Sequence, residues 1–152
     1  MTVVALSGLC LTLLFLHREE LALRRVKGFI RLLEYLRASV EHSSASVSEL
    51  IRGCDPEVLY LCGYDGEGEP PLTLAELLER CDTVDGEADR IFYELARDFG
   101  KSYRQRQVEK CAEGLEELRG RERELSAALP AKRRLILGVG ISLTLALIIL
   151  LL

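Results

Sequence analysis

Residues 135–152 read LILGVGISLTLALIILLL, a stretch without one charged side chain. As a helix with a rise of about 1.5 Å per residue it would be roughly 27 Å long, close to the ~30 Å hydrocarbon thickness of a bilayer. A buried helix of a soluble protein normally keeps a polar face, but the polar side chains here are only Ser142 and Thr144, which can bond to their own backbone. The stretch therefore predicts a C-terminal transmembrane helix.

The N-terminal residues 1–16 also carry no charge. A secretory signal peptide would have basic residues before the apolar run and a small-residue cleavage site after it, and this segment has neither. We expect an uncleaved transmembrane helix. Since sixteen residues reach only about 24 Å, residues after Leu16 would be drawn in or the bilayer would thin.

Basic residues flank both predicted spans on the side of the intervening chain. They are Arg18, Arg24, Arg25 and Lys27 after the first span, and Lys132–Arg134 before the second. The positive-inside rule then predicts that residues 17–134 are cytoplasmic and that both termini lie across the membrane. At this length the segment can form one small domain with its own core.

Charge is distributed unevenly within this domain. Residues 17–40 have six basic and three acidic side chains, and residues 41–100 have four basic and fifteen acidic ones. Residues 101–134 have ten basic and six acidic side chains. The two segments next to the spans are thus basic and the middle is acidic. Attraction to anionic headgroups would favour the basic segments lying near the bilayer.

The composition predicts an all-α fold of five or six helices, because leucine, glutamate, arginine and alanine dominate outside the spans. The first and last helices of the domain are long amphipathic arms, which we expect to pack antiparallel. Pro130 should stop or kink the last arm. The apolar stripe of the first arm comprises Ala22, Val26, Phe29, Leu33, Leu36 and Val40, and it is widened by Leu23 and Ile30. The apolar stripe of the last arm comprises Val108, Cys111, Leu115, Leu118, Leu125 and Leu129, and it is interrupted by Glu122.

Short helices are predicted between the arms from their start and stop residues. A helix from about Glu87 to Phe99 should close at Gly100, and the acidic loop 64–71 should be exposed. Capping boxes are predicted at Ser46 with Glu49, at Thr73 with Glu76 and, more weakly, at Ser102 with Gln105. Asp55 before Pro56 is a further predicted N-terminal cap, and Gly53 and Gly63 are predicted helix stops.

The sequence shows no arrangement of residues that would support catalysis, so we expect no enzyme activity, no metal and no cofactor. The five cysteines form no CxxC pair, and Cys81 and Cys111 fall on apolar faces, where small buried thiols are expected. Two histidines, His17 and His42, cannot supply a zinc site or a nucleophile with its base. Phosphate-binding glycine motifs are missing, and the basic residues of the last arm alternate with glutamates, which argues against nucleic acid.

The chain resembles the stage III sporulation protein AB family of endospore-forming bacteria. The resemblance lies in two terminal spans around a helical domain, ARDFGKSYRQRQVEKC at 96–111, LILGVG at 135–140 and VEHSSASVSELI at 40–51. Departures are His42 and Ser46, where that family often has an aromatic residue and a proline, and Tyr103, where many members have an aspartate.

The resemblance implies a non-enzymatic platform in a secretion-like channel complex between mother cell and forespore. The family is similar to the cytoplasmic domains of the inner-membrane platform protein of type II secretion. The implied partners are a secretion-type cytoplasmic ATPase, stage III sporulation protein AA, other stage III proteins and the bilayer, with a homo-oligomer as one form of the platform. The implied location is the mother-cell side, in the outer forespore membrane.

Two surfaces are candidates for docking the ATPase: the acidic middle and the turn before the last arm. In that turn we select Phe99, Gly100, Ser102, Tyr103 and Gln107, although a purely structural turn is an alternative for each of them. A different class of function, a small pore-forming or transport protein, is opposed by spans that lack any ionisable residue. A membrane-tethered enzyme is a third alternative.

Overall fold

The structure, a computed structural model, describes residues 2–82 and 85–150; for residues 2–9, 147, 148 and 150 it describes the backbone alone. These residues form α-helices without any strand, which confirms the predicted all-α class. The helices are α1 (Thr2–His42), α2 (Val47–Gly53), α3 (Pro56–Cys62), α4 (Leu74–Glu79), α5 (Gly86–Asp98) and α6 (Arg104–Leu150). The chain divides into a central unit, residues 24–123, and a terminal unit, residues 1–23 with 124–152.

In the central unit α1 and α6 run antiparallel, as predicted for the two arms. Arg104 of α6 donates to Ser44 at 2.9 Å, just beyond the end of α1, and Arg119 donates to Glu34 at 2.6 Å. Lys27 lies 3.9 Å from Glu122. Glu122, which interrupts the apolar stripe of α6, thus faces a cation on the other arm.

The predicted stripe of the first arm is the core of the central unit. Val26, Leu33 and Leu36 are at most 1% exposed, and Leu32, which the stripe did not include, is fully buried. Phe29 stacks on Phe92 of α5 with ring centroids 4.8 Å apart. Each such side chain stabilises the fold by about 1.5–3 kcal/mol through the apolar surface it removes from water.

Gly28 is where α3 approaches α1 most closely. A Cβ atom at this position would lie 2.7 Å from the carbonyl carbon of Leu61 and 2.8 Å from the amide nitrogen of Cys62. Both are backbone atoms, so they cannot move aside without displacing α3. The glycine that weakens the helix intrinsically is therefore needed for packing.

Arg25, which the sequence placed in the basic flank of the first predicted span, binds the C-terminal end of α3. Its Nη1 donates to the carbonyls of Tyr60 at 2.8 Å and Leu61 at 3.1 Å, and its Nη2 lies 3.8 Å from Asp82. The side chain is 13% exposed. A cation there is favourable because the last carbonyls of a helix carry partial negative charge.

Most predicted helix ends are confirmed. Ser46 and Glu49 form the capping box of α2, Asp55 caps α3 with Pro56 in its first turn, and Gly63 ends α3 with φ of 95°. The N-terminal cap of α5 is Asp85, which was not predicted. Its carboxylate accepts a hydrogen bond from the Ala88 amide and pairs with the guanidinium of Arg121 on α6 at 2.7 and 2.9 Å.

Three local predictions are wrong in detail. At the start of α4, Thr73 accepts from the Glu76 amide, but the Glu76 carboxylate binds the amide of Leu72, so no reciprocal box forms. The box at Ser102 does not form either, because α6 begins at Arg104 and Gln105 donates to Glu109. Of the two outcomes predicted for Pro130, the stop is wrong, since Pro130 lies inside α6; the kink stays a prediction.

The loop 64–71 is exposed only in its acidic part. Residues 65–70 are exposed, whereas Tyr64 is 8% exposed and Pro71 is less than 2% exposed. Arg80 holds the loop by donating to the Glu69 carbonyl. The two ends of the loop therefore belong to the core, because the rings of Tyr64 and Pro71 are largely apolar and carry no charge that burial would leave unpaired.

In the terminal unit several apolar side chains are exposed, whereas Ala22, Leu125 and the polar Thr12 are buried. Leu14 is 59% exposed and Ile149 71%, whereas Thr12 is 7% exposed and packs over Gly140 of α6. Among the described residues, we find no helix that is both long and apolar enough to cross a membrane. Both predicted spans, 1–16 and 135–152, include residues outside the described set.

Candidate functional site

The predicted turn lies beside a groove of about 190 Å³, at the place where α1 ends and α6 begins. We call this the tip groove. Three of the five predicted residues, Phe99, Gly100 and Gln107, line it. Its other lining residues are Val40, Ser43, Ser44, Ala45, Ser46, Val47, Leu50 and Arg104.

Phe99 and Gly100 shape the tip groove from within the fold. The Phe99 amide donates to the Leu95 carbonyl at 3.1 Å to end α5, and the ring is 8% exposed. Gly100 has φ of 84°, a conformation that glycine adopts readily, and a Cβ atom there would lie 2.7 Å from a methyl of Val47. These two residues therefore hold the turn against α2 and offer a partner little surface.

Ser102, Tyr103 and Gln107 form the start of α6. The Gln107 side chain donates to the Ser102 carbonyl at 2.5 Å, and the Gln107 amide donates to the Tyr103 carbonyl at 3.1 Å. Tyr103 is 91% exposed. Of the five predicted residues, Tyr103 is thus the one whose side chain is fully available to a partner.

Arg104 is a component of the site that sequence reasoning did not identify. Its guanidinium donates to the Ser44 hydroxyl at 2.9 Å and to the Ser43 carbonyl at 3.4 Å. Ser43 and Ser44 were interpreted as part of a helix stop, but they also accept hydrogen bonds from an arginine about sixty positions away in the chain. No local pattern could have shown this pairing, because it depends on how α1 and α6 meet.

The residues from 97 to 106, which we call the basic turn, carry a clear positive charge. Arg97, Lys101, Arg104 and Arg106 are exposed, and Asp98 is the single acidic residue among them. Hydrogen bonding to Lys110, at 2.8 Å, lowers the pKa of Asp98, so this carboxylate is neutralised by its own partner. The unpaired amides at the start of α6 add partial positive charge to the same place.

Ser46, which lines the tip groove, binds the carboxylate of Glu49. Hydrogen bonds from the Ser46 amide and hydroxyl lower the pKa of Glu49, which remains ionised as the partner of its own N-cap. Glu49 is therefore engaged in capping α2.

The cysteines have no reactive character in the central unit. Burial raises the pKa of Cys54 to about 11, of Cys81 to about 12 and of Cys111 to about 11, and it raises that of Cys62 further. These thiols stay protonated at neutral pH, and a thiol rather than a thiolate is a poor nucleophile and metal ligand. The burial predicted for Cys81 and Cys111 is confirmed. Within the described residues, no group of histidine, cysteine and acidic side chains could hold a metal ion.

Comparisons with family models, with curated proteins and with solved structures found no match to this chain. The resemblance to the stage III sporulation protein AB family rests on the sequence segments quoted above. The structure leaves the side chain of Tyr103 exposed in a segment with several exposed cations.

Proposed function

We propose that this chain is a non-enzymatic membrane platform of a sporulation channel complex, which binds a cytoplasmic ATPase of the secretion type through Tyr103 and the basic turn. The ATPase we propose is stage III sporulation protein AA. The assignment draws on the family resemblance, on the uncharged terminal sequences and on the helical bundle between them. Tyr103 carries the site, because tyrosine and arginine are enriched where interfaces concentrate their binding energy.

Membrane anchoring is supported by the inverted packing of the terminal unit. Leucine, valine and isoleucine side chains of α6 point outward there, for example Leu135 at 68% and Val139 at 60% exposed. The pair is closed by small residues, Thr12 on α1 and Gly140 on α6. Helices in lipid associate in this way, because lipid chains already solvate the apolar side chains and close backbone approach supplies the contact.

Thr144 supports the same interpretation. Its hydroxyl donates to the Gly140 carbonyl at 2.7 Å, one turn earlier in α6. The polar hydrogen is thereby satisfied inside the helix, as a nonpolar surrounding requires. At the edge of the uncharged segments, Lys132 pairs with Glu19 at 2.7 Å, where charged groups would reach the headgroups.

Topology can be tested by thiol labelling of the full chain in cells. Glu67→Cys, combined with Cys10→Ser because Cys10 is exposed, places a thiol in the exposed acidic part of loop 64–71, whereas Cys54, Cys62, Cys81 and Cys111 are buried. If the central unit is cytoplasmic, a membrane-impermeant maleimide labels this variant only after the membrane is permeabilised. Labelling of intact cells would contradict the proposal.

ATPase binding can be tested with a matched pair of tyrosine variants. Tyr103→Ala should weaken binding of the full chain to the ATPase about tenfold or more, the effect of a hot-spot residue. Tyr60→Ala is the control, since Tyr60 is 69% exposed but lies on α3. Equal affinities of both variants and the unmodified chain would place the ATPase elsewhere. Ion conductance of the chain alone in planar bilayers would instead favour the pore-forming alternative.

A further inference from the structure

A second groove, of about 170 Å³, lies between α5 and α6 of the central unit and shares no lining residue with the tip groove. Its floor is apolar: Ile91 and Leu95 are each 6% exposed, and Gly114 is buried. An apolar cavity of about 150 Å³ holds a benzene molecule. The α5–α6 groove therefore has room for one aromatic side chain.

The rim of the α5–α6 groove is acidic. Glu94, Glu113 and Glu117 line it together with a single cation, Lys110, which is engaged by Asp98 at 2.8 Å. Glu113 and Glu117 are one helical turn apart, so their carboxylates lie on the same face of α6. Within the described part of the chain neither carboxylate has an ion pair or a side-chain hydrogen bond. An occupant of this groove should thus bring cations and an aromatic ring.

The basic turn of the same chain has both properties. Tyr103 is 91% exposed, and Lys101, Arg104 and Arg106 around it are exposed as well. We propose that Tyr103 and the basic turn of one copy dock into the α5–α6 groove of a second copy. Glu113 and Glu117 then pair with Lys101 and Arg106, none of which has an ion pair within the described part of its own chain, and the ring covers the apolar floor.

The proposed contact joins two different surfaces, so it is heterologous. Repetition of a heterologous contact produces a ring if the rotation closes and a chain if it does not. The inference is independent of the proposed function, since it requires neither a membrane nor an ATPase. An ATPase that binds Tyr103 would compete with the second copy for the same side chain.

Sedimentation velocity on the purified full chain in detergent tests the proposal. We expect reversible self-association at concentrations up to about 100 μM, the range of weak interfaces, and a decrease in association as salt is raised. The double variant E113K/E117K should lower the association constant about tenfold or more, because the groove then repels the basic turn. K101E/R106E should have the same effect from the other side of the contact.

Two further variants separate a specific contact from a general effect of charge. E116K changes an exposed glutamate of the same helix that does not line the groove, and it should leave association unchanged. The quadruple variant K101E/R106E/E113K/E117K should regain association, because both surfaces have exchanged sign. Helical circular dichroism equal to that of the unmodified chain verifies that each variant is folded.

The results that would overturn the proposal are definite. One is a monomeric unmodified chain across this concentration range, and another is a loss of association in E116K equal to that in E113K/E117K. A quadruple variant that is folded but stays monomeric would also overturn it. In a supporting photocrosslinking experiment, benzoylphenylalanine in place of Tyr103 should yield a covalent dimer joined at the groove, within residues 91–95 or 110–117; a dimer joined elsewhere counts against the groove.

Discussion

The same two helices, α1 and α6, pack in opposite ways in the two units. In the central unit they bury leucines and Phe29, and exposed positions carry charges such as Arg119 and Glu34. In the terminal unit they bury Thr12 and Leu125 and leave several other leucines exposed. A helix pair in water is stabilised by removing apolar surface from solvent, whereas a pair in lipid gains nothing from that and relies on close contact of small residues. The proposed membrane anchoring would account for this difference between the units.

The largest effect should come from exchanging one aromatic residue in each unit for alanine. Phe92→Ala removes the ring that stacks on Phe29 and should lower the free energy of unfolding by about 3–5 kcal/mol. Phe15→Ala changes a ring that is 57% exposed and should alter the urea midpoint of the central unit very little. Urea denaturation followed by circular dichroism measures both, and equal shifts would remove the distinction between the units.

A pair of glycine substitutions should act in opposite directions. Gly28→Ala places a methyl group against the backbone of Leu61 and should destabilise the central unit by about 1–3 kcal/mol. Gly120→Ala, at a helical position with open space around it, should stabilise the protein by up to about 1 kcal/mol through helix propensity. Thermal unfolding distinguishes them by the sign of the change in Tm. A stabilising Gly28→Ala would show that α3 does not approach α1 so closely.

The terminal unit can be tested with two glycines of α6 that are two residues apart. Gly140→Leu should separate the helix pair where Thr12 packs, at a cost on the order of 1–2 kcal/mol in lipid, whereas Gly138→Leu, with open space around it, should be tolerated. Thermal aggregation of the full chain in nanodiscs measures the difference. If both variants behave alike, close packing at Gly140 is not what holds this unit together.

The smallest predicted effect depends on pH and is confined to the central unit. Burial, and then the charge of Asp85, raises the pKa of Asp89 from 3.8 to about 6. Between these values the folded chain binds more protons than the unfolded chain, so the stabilising contribution of Asp89 is complete below about pH 4 and is lost as pH rises through 6. Asp89→Asn should therefore match the unmodified chain near pH 4 and exceed its stability at pH 7.5, by less than about 1 kcal/mol after solvent screening. Urea midpoints at the two pH values check this, and an excess that is larger at pH 4 would contradict it.

Features within one turn of helix could be predicted from the sequence, and features that join distant segments could not. Ser46 with Glu49, Asp55 with Pro56, and Gly63 are local signals, because a cap satisfies amides or carbonyls a few residues away. Arg25 at the end of α3 shows the opposite case. Beside an apolar N-terminal segment an arginine is typical of a membrane flank, and only the packing of α1 against α3 shows that it binds two carbonyls.

The position of the candidate site could likewise be predicted from the sequence, whereas the role of each of its residues could not. The turn before α6 was predicted from Gly100 and the residues after it, and the tip groove does lie there. Sequence reasoning treated its five residues as equivalent, whereas the structure buries Phe99, uses Gln107 to hold the turn and exposes Tyr103. Exposure depends on what α2 and α1 bring to the turn, so a one-dimensional pattern cannot supply it.

The sequence alone determined that this protein is helical, that its charged residues lie between two uncharged ends, and that its two long arms have matching apolar faces. Composition and periodicity are properties of short stretches of sequence, so they can be recognised without a structure. Only the tertiary structure decided which glycine permits close contact, which arginine binds the end of α3 and where an acidic groove and an exposed tyrosine occur. These properties arise from contacts between segments far apart in the chain, whose energies depend on positions in space rather than on order along the sequence.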